Sequence, residues 1–202
     1  SLFVPFHNAG PTRITAEISG DLLPTDNVRR VVAVVRDRVS VLCVDGSDGD
    51  AGRLLVAALL ARGDGAQDED FVVRSVPWIS LPSQQLDDVD VIILAGVPEI
   101  TPEQVNQLSR HVRQGNGLVW FAGKNVKVAA WNERSASGVN PLLPAKLGQP
   151  VDTGTTFGAG RPLDPAMSRH GVCLPLRSLP EDLFSETHFL TRLEVEPFPS
   201  SF

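Results

Sequence analysis

Between residues 39 and 125, short continuous apolar runs alternate with segments whose apolar residues recur every three or four positions. The continuous runs are typical of β-strands buried on both faces, and the periodic segments are typical of amphipathic helices. Strands are predicted at residues 39–44, 71–76, 89–94 and 118–122, and helices after Asp50 and from Thr101. This order predicts an α/β fold: a three-layer, mostly parallel, flavodoxin-like or Rossmann-like sheet with helices on both faces.

The second helix has the clearest start signal. Thr101, Pro102 and Gln104 combine a cap, a first-turn proline and a capping box. The apolar stripe of this helix runs to Val112, and Gly115 is predicted to end it.

The first 38 residues follow a different pattern. Residues 13–18 alternate polar and apolar, residues 20–27 supply turn chemistry, and residues 28–35 form a β-branched run. Two strands and a turn are marginal in water alone, so they either pack on the next domain or end a β-sandwich that begins outside this chain; we favour the sandwich. We therefore divide the chain into a β-strand pair at 1–38 and an α/β domain at 39–202.

The C-terminal part of that α/β domain is rich in loops. Pro, Gly, Ser and Thr accumulate from residue 135 to residue 165, with long surface loops expected around 142–144 and 153–160. Two further short strands are predicted, at residues 172–176 and 190–195.

Composition excludes several classes of partner. The chain has 202 residues and a net charge of −6, which leaves no basic surface for nucleic acid or an anionic membrane. No apolar run approaches the roughly 20 residues of a membrane span, so any membrane contact would come from segments outside this chain. The chain is large enough for a substantial hydrophobic core.

Metal and cofactor chemistry have no sequence support. The four histidines are scattered without a second ligand nearby, and Cys43 lies in an apolar run where a buried, inert thiol is expected. No Gly-x-Gly-x-x-Gly follows the first strand, and the three acids between residues 45 and 50 would repel a pyrophosphate. We therefore expect no metal and no cofactor.

In an open parallel sheet, ligands bind beyond the carboxyl ends of the strands. Polar and glycine residues at these ends are the candidate ligand-binding set: Asp45, Ser47, Gly96, Glu99, Lys124 and Asn125. A solvated loop rim is the favoured interpretation over a polar-ligand site, because such loops are polar anyway. A third interpretation is a hydrolase in which Asp45 or Glu99 is the base and Ser47 the nucleophile.

Residues 91–98 and 117–123, on either side of the second helix, resemble the class I glutamine amidotransferase superfamily. The resemblance implies that Leu94-Ala95-Gly96-Val97-Pro98 corresponds to the oxyanion-hole loop, with Val97 in place of a glycine. It also implies a Gly-x-Cys-x-Gly nucleophile elbow after the last strand. Here Phe121, or Ala122 after a one-residue slip, stands at the nucleophile position, and the downstream His-Pro-Glu is missing. Glutaminase and cysteine-protease chemistry are therefore not expected.

A narrower resemblance covers residues 20–27, 41–46 and 115–123, whose order is similar to the amidotransferase-like region of large bacterial membrane proteins of the aerotolerance-operon type. Those proteins combine membrane spans, a von Willebrand A domain and β-sandwich segments. The resemblance implies an extracytoplasmic location, with a cytoplasmic one as the alternative. It also implies partners among other domains of the same polypeptide or other envelope proteins.

The expected function is a non-catalytic interaction or scaffolding domain of such an envelope protein. A small-molecule-binding or sensing domain and a hydrolase of unidentified mechanism stay open as alternatives, so the chain is not assigned to enzymes.

Overall fold

The computed structural model describes residues 6, 8–18, 27–47, 51–61, 71–135, 141–152, 161–162, 177, 184 and 188–198. Its strands are β1 (Gly10–Glu17), β2 (Val28–Val35), β3 (Val39–Asp45), β4 (Phe71–Pro77), β5 (Val91–Ala95), β6 (Gly117–Phe121), β7 (Ala145–Asp152), β8 (Arg161–Pro162), β9 (His188–Phe189) and β10 (Thr191–Pro197). Its helices are α1 (Ala51–Leu60), α2 (Pro102–Arg113) and α3 (Val128–Ser135), with a 3₁₀ turn at Trp78–Ser83.

The chain forms two compact units. The first holds residues 1–97 and 110–121, and the second holds residues 98–109 and 122–202. The division into domains at residue 38 stays a prediction.

The first unit contains a four-stranded parallel sheet in the order β4-β3-β5-β6. The strand β3 pairs with β4 on one side and with β5 on the other, so that Val41 lies opposite both Val73 and Val91. Residues 41–44 are buried, as expected for an apolar strand with neighbours at both edges. The predicted α/β character and the parallel sheet are confirmed.

Helix α1 packs against this sheet. The buried cluster consists of Val41, Cys43 and Ile93, against which the helix places Leu55, Val56 and Leu59. These three helix side chains are half-buried, so each contributes less than the roughly 1.5–3 kcal/mol of a fully buried one. The predicted cap of the helix, Asp50, lies outside the described residues.

Strands β1 and β2 form a separate two-stranded antiparallel sheet, here called the N-terminal ribbon, and the predicted strand pair is thereby confirmed. Its register is continuous from Gly10 opposite Val35 to Glu17 opposite Val28. After the ribbon, Arg36 forms an ion pair with Asp90, whose other carboxylate oxygen accepts the backbone N–H of Ser40 at 2.8 Å. These bonds hold the end of the ribbon next to the start of β3.

Helix α2 starts as the sequence predicts. The backbone N–H of Thr101 donates to the Gln104 side-chain oxygen at 2.7 Å, and the Gln104 N–H donates to the Thr101 hydroxyl at 3.2 Å. This reciprocal pair is the capping box, which satisfies two N–H groups that the helix itself leaves unpaired.

The second unit contains elements that were not predicted, helix α3 and strand β7. The Asn132 side chain of α3 donates to the Leu147 carbonyl and accepts the Leu147 N–H, both at 2.8 Å. Its amide thus makes the two backbone hydrogen bonds to β7 that a residue of a neighbouring strand would make. Trp131 is fully buried and packs in the core of this unit.

Strand β7 pairs antiparallel with β10, which confirms the strand predicted at residues 190–195. The register shifts between Leu193 and Val195, where Gly148 and Gln149 of β7 stand opposite Glu194. Such a bulge bends the strand and redirects its side chains. The strand predicted at residues 172–176 and the loop predicted at 153–160 lie outside the described residues.

No helix among the described residues has both the length and the apolar character that crossing a bilayer requires.

Candidate functional site

In the first unit, the carboxyl end of β3 is organised by Asp45. One of its carboxylate oxygens accepts the Ser47 N–H at 2.9 Å and the Ser47 hydroxyl at 2.6 Å. The other accepts the Gly52 N–H at 2.9 Å, in the first turn of α1. A carboxylate at a helix N-terminus satisfies an unpaired N–H and interacts favourably with the helix dipole. Asp45 and Ser47 are thus in direct contact, and the carboxylate holds the turn between β3 and α1.

The carboxyl ends of β3 and β5, where the sheet order reverses, are in backbone contact. The Gly46 N–H donates to the Ala95 carbonyl at 2.9 Å. A Cβ atom on Gly46 would overlap the Cα of Val97 and would lie 2.7 Å from the Val97 nitrogen, so only glycine allows this approach. The crevice in which an open α/β sheet usually binds ligands is therefore filled by backbone at this point.

The loop that resembles an oxyanion hole is also engaged in the sheet. Gly96 has a φ of 63°, a left-handed conformation that favours glycine, and its N–H donates to the Phe121 carbonyl at 2.9 Å. This amide is therefore not directed at a ligand oxygen.

The position at which the resemblance to glutamine amidotransferases implies a nucleophile carries no reactive group. Phe121 ends β6 with 49% of its surface exposed, and Ala122 is exposed after it. The one described cysteine, Cys43, is 0% exposed under α1. Burial, and then the nearby Asp45 carboxylate, raise the pKa of the Cys43 thiol, so it stays protonated.

In the second unit, Glu99 is held by two cations that sequence reasoning missed. Its carboxylate oxygens lie 2.6 Å from the Lys127 Nζ and 3.4 Å from the Arg134 Nη1, which also donates to the Ile100 carbonyl at 2.8 Å. The hydrogen bond from Lys127, then the charges of Lys127 and Arg134, lower the pKa of Glu99. Glu99 is thus a structural ion-pair partner with little basicity.

The other two predicted residues of the second unit, Lys124 and Asn125, lie in an exposed turn after β6. Of the six predicted residues, the first unit brings together Asp45 and Ser47 and connects Gly96 to the same edge through Ala95. In the second unit, Glu99 forms ion pairs with Lys127, which immediately precedes α3, and with Arg134 of α3.

A cleft of about 520 Å³ lies in the second unit between α3 and the β7–β10 pair. It is lined by Val128, Ala129, Asn132, Lys146, Leu147, Gly148, Gln149, Glu194, Val195 and Glu196. Sequence reasoning missed it because it depends on two unpredicted elements, α3 and β7, and on the bulge between β7 and β10. Its lining combines apolar side chains with two carboxylates, one ammonium and two amides.

One buried histidine lies apart from these groups. His111 is 2% exposed, and burial lowers its pKa, partly offset by a backbone hydrogen bond with Gly117, so the ring is neutral at pH 7. Its Nδ1 lies 3.4 Å from the Asn116 side-chain nitrogen. Within the described ranges, no group of three or more His, Cys, Asp or Glu is placed to hold a metal ion.

No protein-family model, no curated protein and no solved structure matches the chain.

Proposed function

We propose that this chain is a non-catalytic interaction or scaffolding domain of a larger bacterial envelope protein, located outside the cytoplasmic membrane. The proposal that the chain is non-catalytic rests on the residues found at the carboxyl ends of the parallel strands. Phe121 and Ala122 stand where the resemblance implies the nucleophile elbow, and the carboxylate of Asp45 accepts three hydrogen bonds from Ser47 and from Gly52 in the first turn of α1. Acyl transfer needs a nucleophile with a base beside it. Neither Phe121 nor Ala122 is a nucleophile, and the Asp45 carboxylate is already engaged in hydrogen bonds, so this chemistry has little support.

The proposed fold is the three-layer, flavodoxin-like or amidotransferase-like sheet. When the four strands of this sheet are numbered 1 to 4 along the chain, their spatial order β4-β3-β5-β6 is 2-1-3-4. This is the order in which a flavodoxin-like sheet begins. The order supports the proposal, and so does the packing of α1 on β3.

Glutaminase, esterase and peptidase assays on the purified chain test the non-catalytic role. All three are expected to show no turnover above buffer. Ser47→Ala is the informative variant, because Ser47 is the hydroxyl nearest a carboxylate, and Ser83→Ala is the matched control at an exposed serine that bonds the Ser80 carbonyl. Turnover in the wild type that is lost in Ser47→Ala and kept in Ser83→Ala would reject the proposal.

A second candidate function, small-molecule binding, is favoured by the cleft between α3 and the β7–β10 pair. Its mixed lining suits a ligand with both apolar and polar groups. A thermal-shift screen with sugars, amino acids and nucleotides tests it, since a ligand at 100 times its Kd stabilises a protein by about 2.7 kcal/mol. A shift that Glu194→Gln and Gly148→Ala abolish supports this function, and no shift at millimolar ligand rejects it.

A further inference from the structure

The N-terminal ribbon exposes much apolar surface. Val31, Val32 and Val34 of β2 are 58%, 63% and 69% exposed, and they lie on both faces of the ribbon because successive strand residues alternate. In the part of the chain that the structure describes, β2 has a single neighbour, β1. A two-stranded sheet of this kind gains stability when further strands join it.

The alternation of hydrogen-bonded and non-bonded residue pairs along the ribbon shows which backbone N–H groups of β2 point away from β1. The Ile18 N–H donates to the Asn27 carbonyl at 2.9 Å. Bonded and non-bonded pairs alternate in an antiparallel ladder, so Thr15–Arg30, Arg13–Val32 and Pro11–Val34 are non-bonded pairs. The N–H and C=O groups of Arg30, Val32 and Val34 therefore point away from β1.

The two edges of the ribbon differ in their capacity to accept a strand. On β1, the outward position next to the start of the strand is Pro11, which has no N–H. Proline at such a position blunts an edge. On β2, the outward positions all carry an N–H, and five of its eight residues are valine. The β2 edge is thus the competent one.

Charge indicates the chemistry of the partner. Arg13, Arg29 and Arg30 are exposed on the ribbon, against the single acid Glu17. The register places the uncharged residues Ala16 and Thr15 opposite Arg29 and Arg30. A neighbouring strand with acidic residues beside this pair would gain favourable cross-strand charge pairs.

A second copy of this chain is a poorer occupant of the edge. Antiparallel pairing of two β2 strands centred on Val31 would bring the two Arg30 residues to about 8 Å of each other. Registers that separate them still offer no acidic partner, because β2 contains no Asp or Glu. Parallel pairing in register would set them side by side, where like charges repel.

We propose that the outer edge of β2 accepts a β-strand from a partner protein, and that this strand carries a pair of acidic residues beside Arg29 and Arg30 and β-branched residues beside Val31 to Val35. The assignment deepens the proposed interaction role and rests on it. Its test measures binding alone, so its failure is distinct from the appearance of turnover in the enzyme assays.

The probe is a synthetic peptide as long as β2, with alternating Thr and Val and a Glu-Glu pair near its C-terminus. The control peptide has Lys-Lys instead. Fluorescence anisotropy with the whole chain should show binding about tenfold or more tighter for the acidic peptide. Arg30→Glu should abolish this preference, because one cation and one anion then face each peptide pair, whereas Arg192→Glu, an exposed arginine on β10, should keep it.

Proline variants locate the edge. Val32→Pro removes an outward N–H of β2 and Thr15→Pro removes one of β1, and neither position bonds across the ribbon. Binding of the acidic peptide should be lost in Val32→Pro and kept in Thr15→Pro, with circular dichroism confirming that both variants are folded. In hydrogen exchange, the peptide should slow the amides of Arg30, Val32 and Val34.

Three results would overturn the proposal. They are equal or absent binding of the two peptides, loss of binding in Thr15→Pro but not in Val32→Pro, and self-association through β2. Sedimentation shows the last as a dimer that Val32→Pro dissociates, which would assign the edge to a second copy.

Discussion

At the residue scale, Asp45 shows how a side chain that looks chemical can be structural. Acid and hydroxyl two residues apart after a buried strand suggest a reactive pair, and the two groups do touch. The same carboxylate also accepts two backbone N–H groups, from Ser47 and Gly52. The N–H groups of a turn and of the first turn of a helix have few other acceptors. The presence of Asp45 is therefore explained by these hydrogen bonds, without any ligand.

Asp45→Ala should destabilise the chain by about 2–3 kcal/mol, because it removes a helix-terminal acceptor and leaves partly buried N–H groups unpaired. Urea unfolding measures the free energy. Asp88→Ala, at an exposed turn position, is the control and should change stability by less than about 0.5 kcal/mol. Equal effects of the two substitutions would show that the Asp45 bonds contribute nothing.

Glu99 gives stability a dependence on pH. The pKa of this carboxyl is lowered from its ordinary value of 4.5, mainly by the hydrogen bond from Lys127. The folded state therefore holds the ionised form more strongly than the unfolded state does, so the stabilisation is present above pH 4.5 and is lost as the pH falls through the lowered value.

Thermal unfolding of the wild type and Glu99→Gln checks this dependence. The difference in Tm should be largest near neutral pH and should shrink below pH 4.5. In a Lys127→Met background the same substitution should show a weaker pH dependence, because the closer of the two cations that pair with Glu99 is gone. A difference that grows on acidification would contradict the assignment.

At the element scale, the parallel strands could be predicted because their own sequences demand burial. A continuous run such as residues 91–94 cannot alternate between core and solvent, and it lies at the centre of the sheet. The start of α2 could be predicted too, because the capping box of Thr101 and Gln104 is a local interaction.

Strand β7 could not be predicted, because its sequence includes Lys146, Gly148 and Pro150, none of which favours a strand. Its hydrogen bonds come from β10 and from the Asn132 amide, neither of which is visible in its own sequence. The partners of Glu99 were missed for the same reason, since they lie 28 and 35 residues further along the chain.

The Asn132 amide should therefore be a main support of β7. Asn132→Ala leaves both the N–H and the carbonyl of Leu147 without this partner, at a cost of about 2–3 kcal/mol in unfolding free energy. Hydrogen exchange at the Leu147 amide should also become faster. Asn106→Ala, at an exposed position of α2, should be neutral or slightly stabilising, since alanine is the better helix former. A neutral Asn132→Ala would mean that pairing with β10 alone holds β7.

At the scale of the whole molecule, the missing chemistry concerns a set of groups rather than one residue. A glutaminase needs a nucleophile, a base beside it and amides directed at the developing oxyanion. Here the Gly96 amide is bonded to the Phe121 carbonyl, and the buried His111 is hydrogen-bonded to Asn116. A thiol introduced at Phe121 or Ala122, where the resemblance implies the nucleophile, would supply only one of the three requirements.

Phe121→Cys and Ala122→Cys should consequently stay inactive towards glutamine, although both introduce a thiol at an exposed position. Iodoacetamide should label each new thiol in the folded chain, while Cys43, buried and with a raised pKa, should react only after urea unfolding. A background in which Cys173 is replaced by Ser isolates these thiols. Release of ammonia from glutamine by either cysteine variant would show that a base and oxyanion donors are already in place. The proposed non-catalytic role would then be rejected.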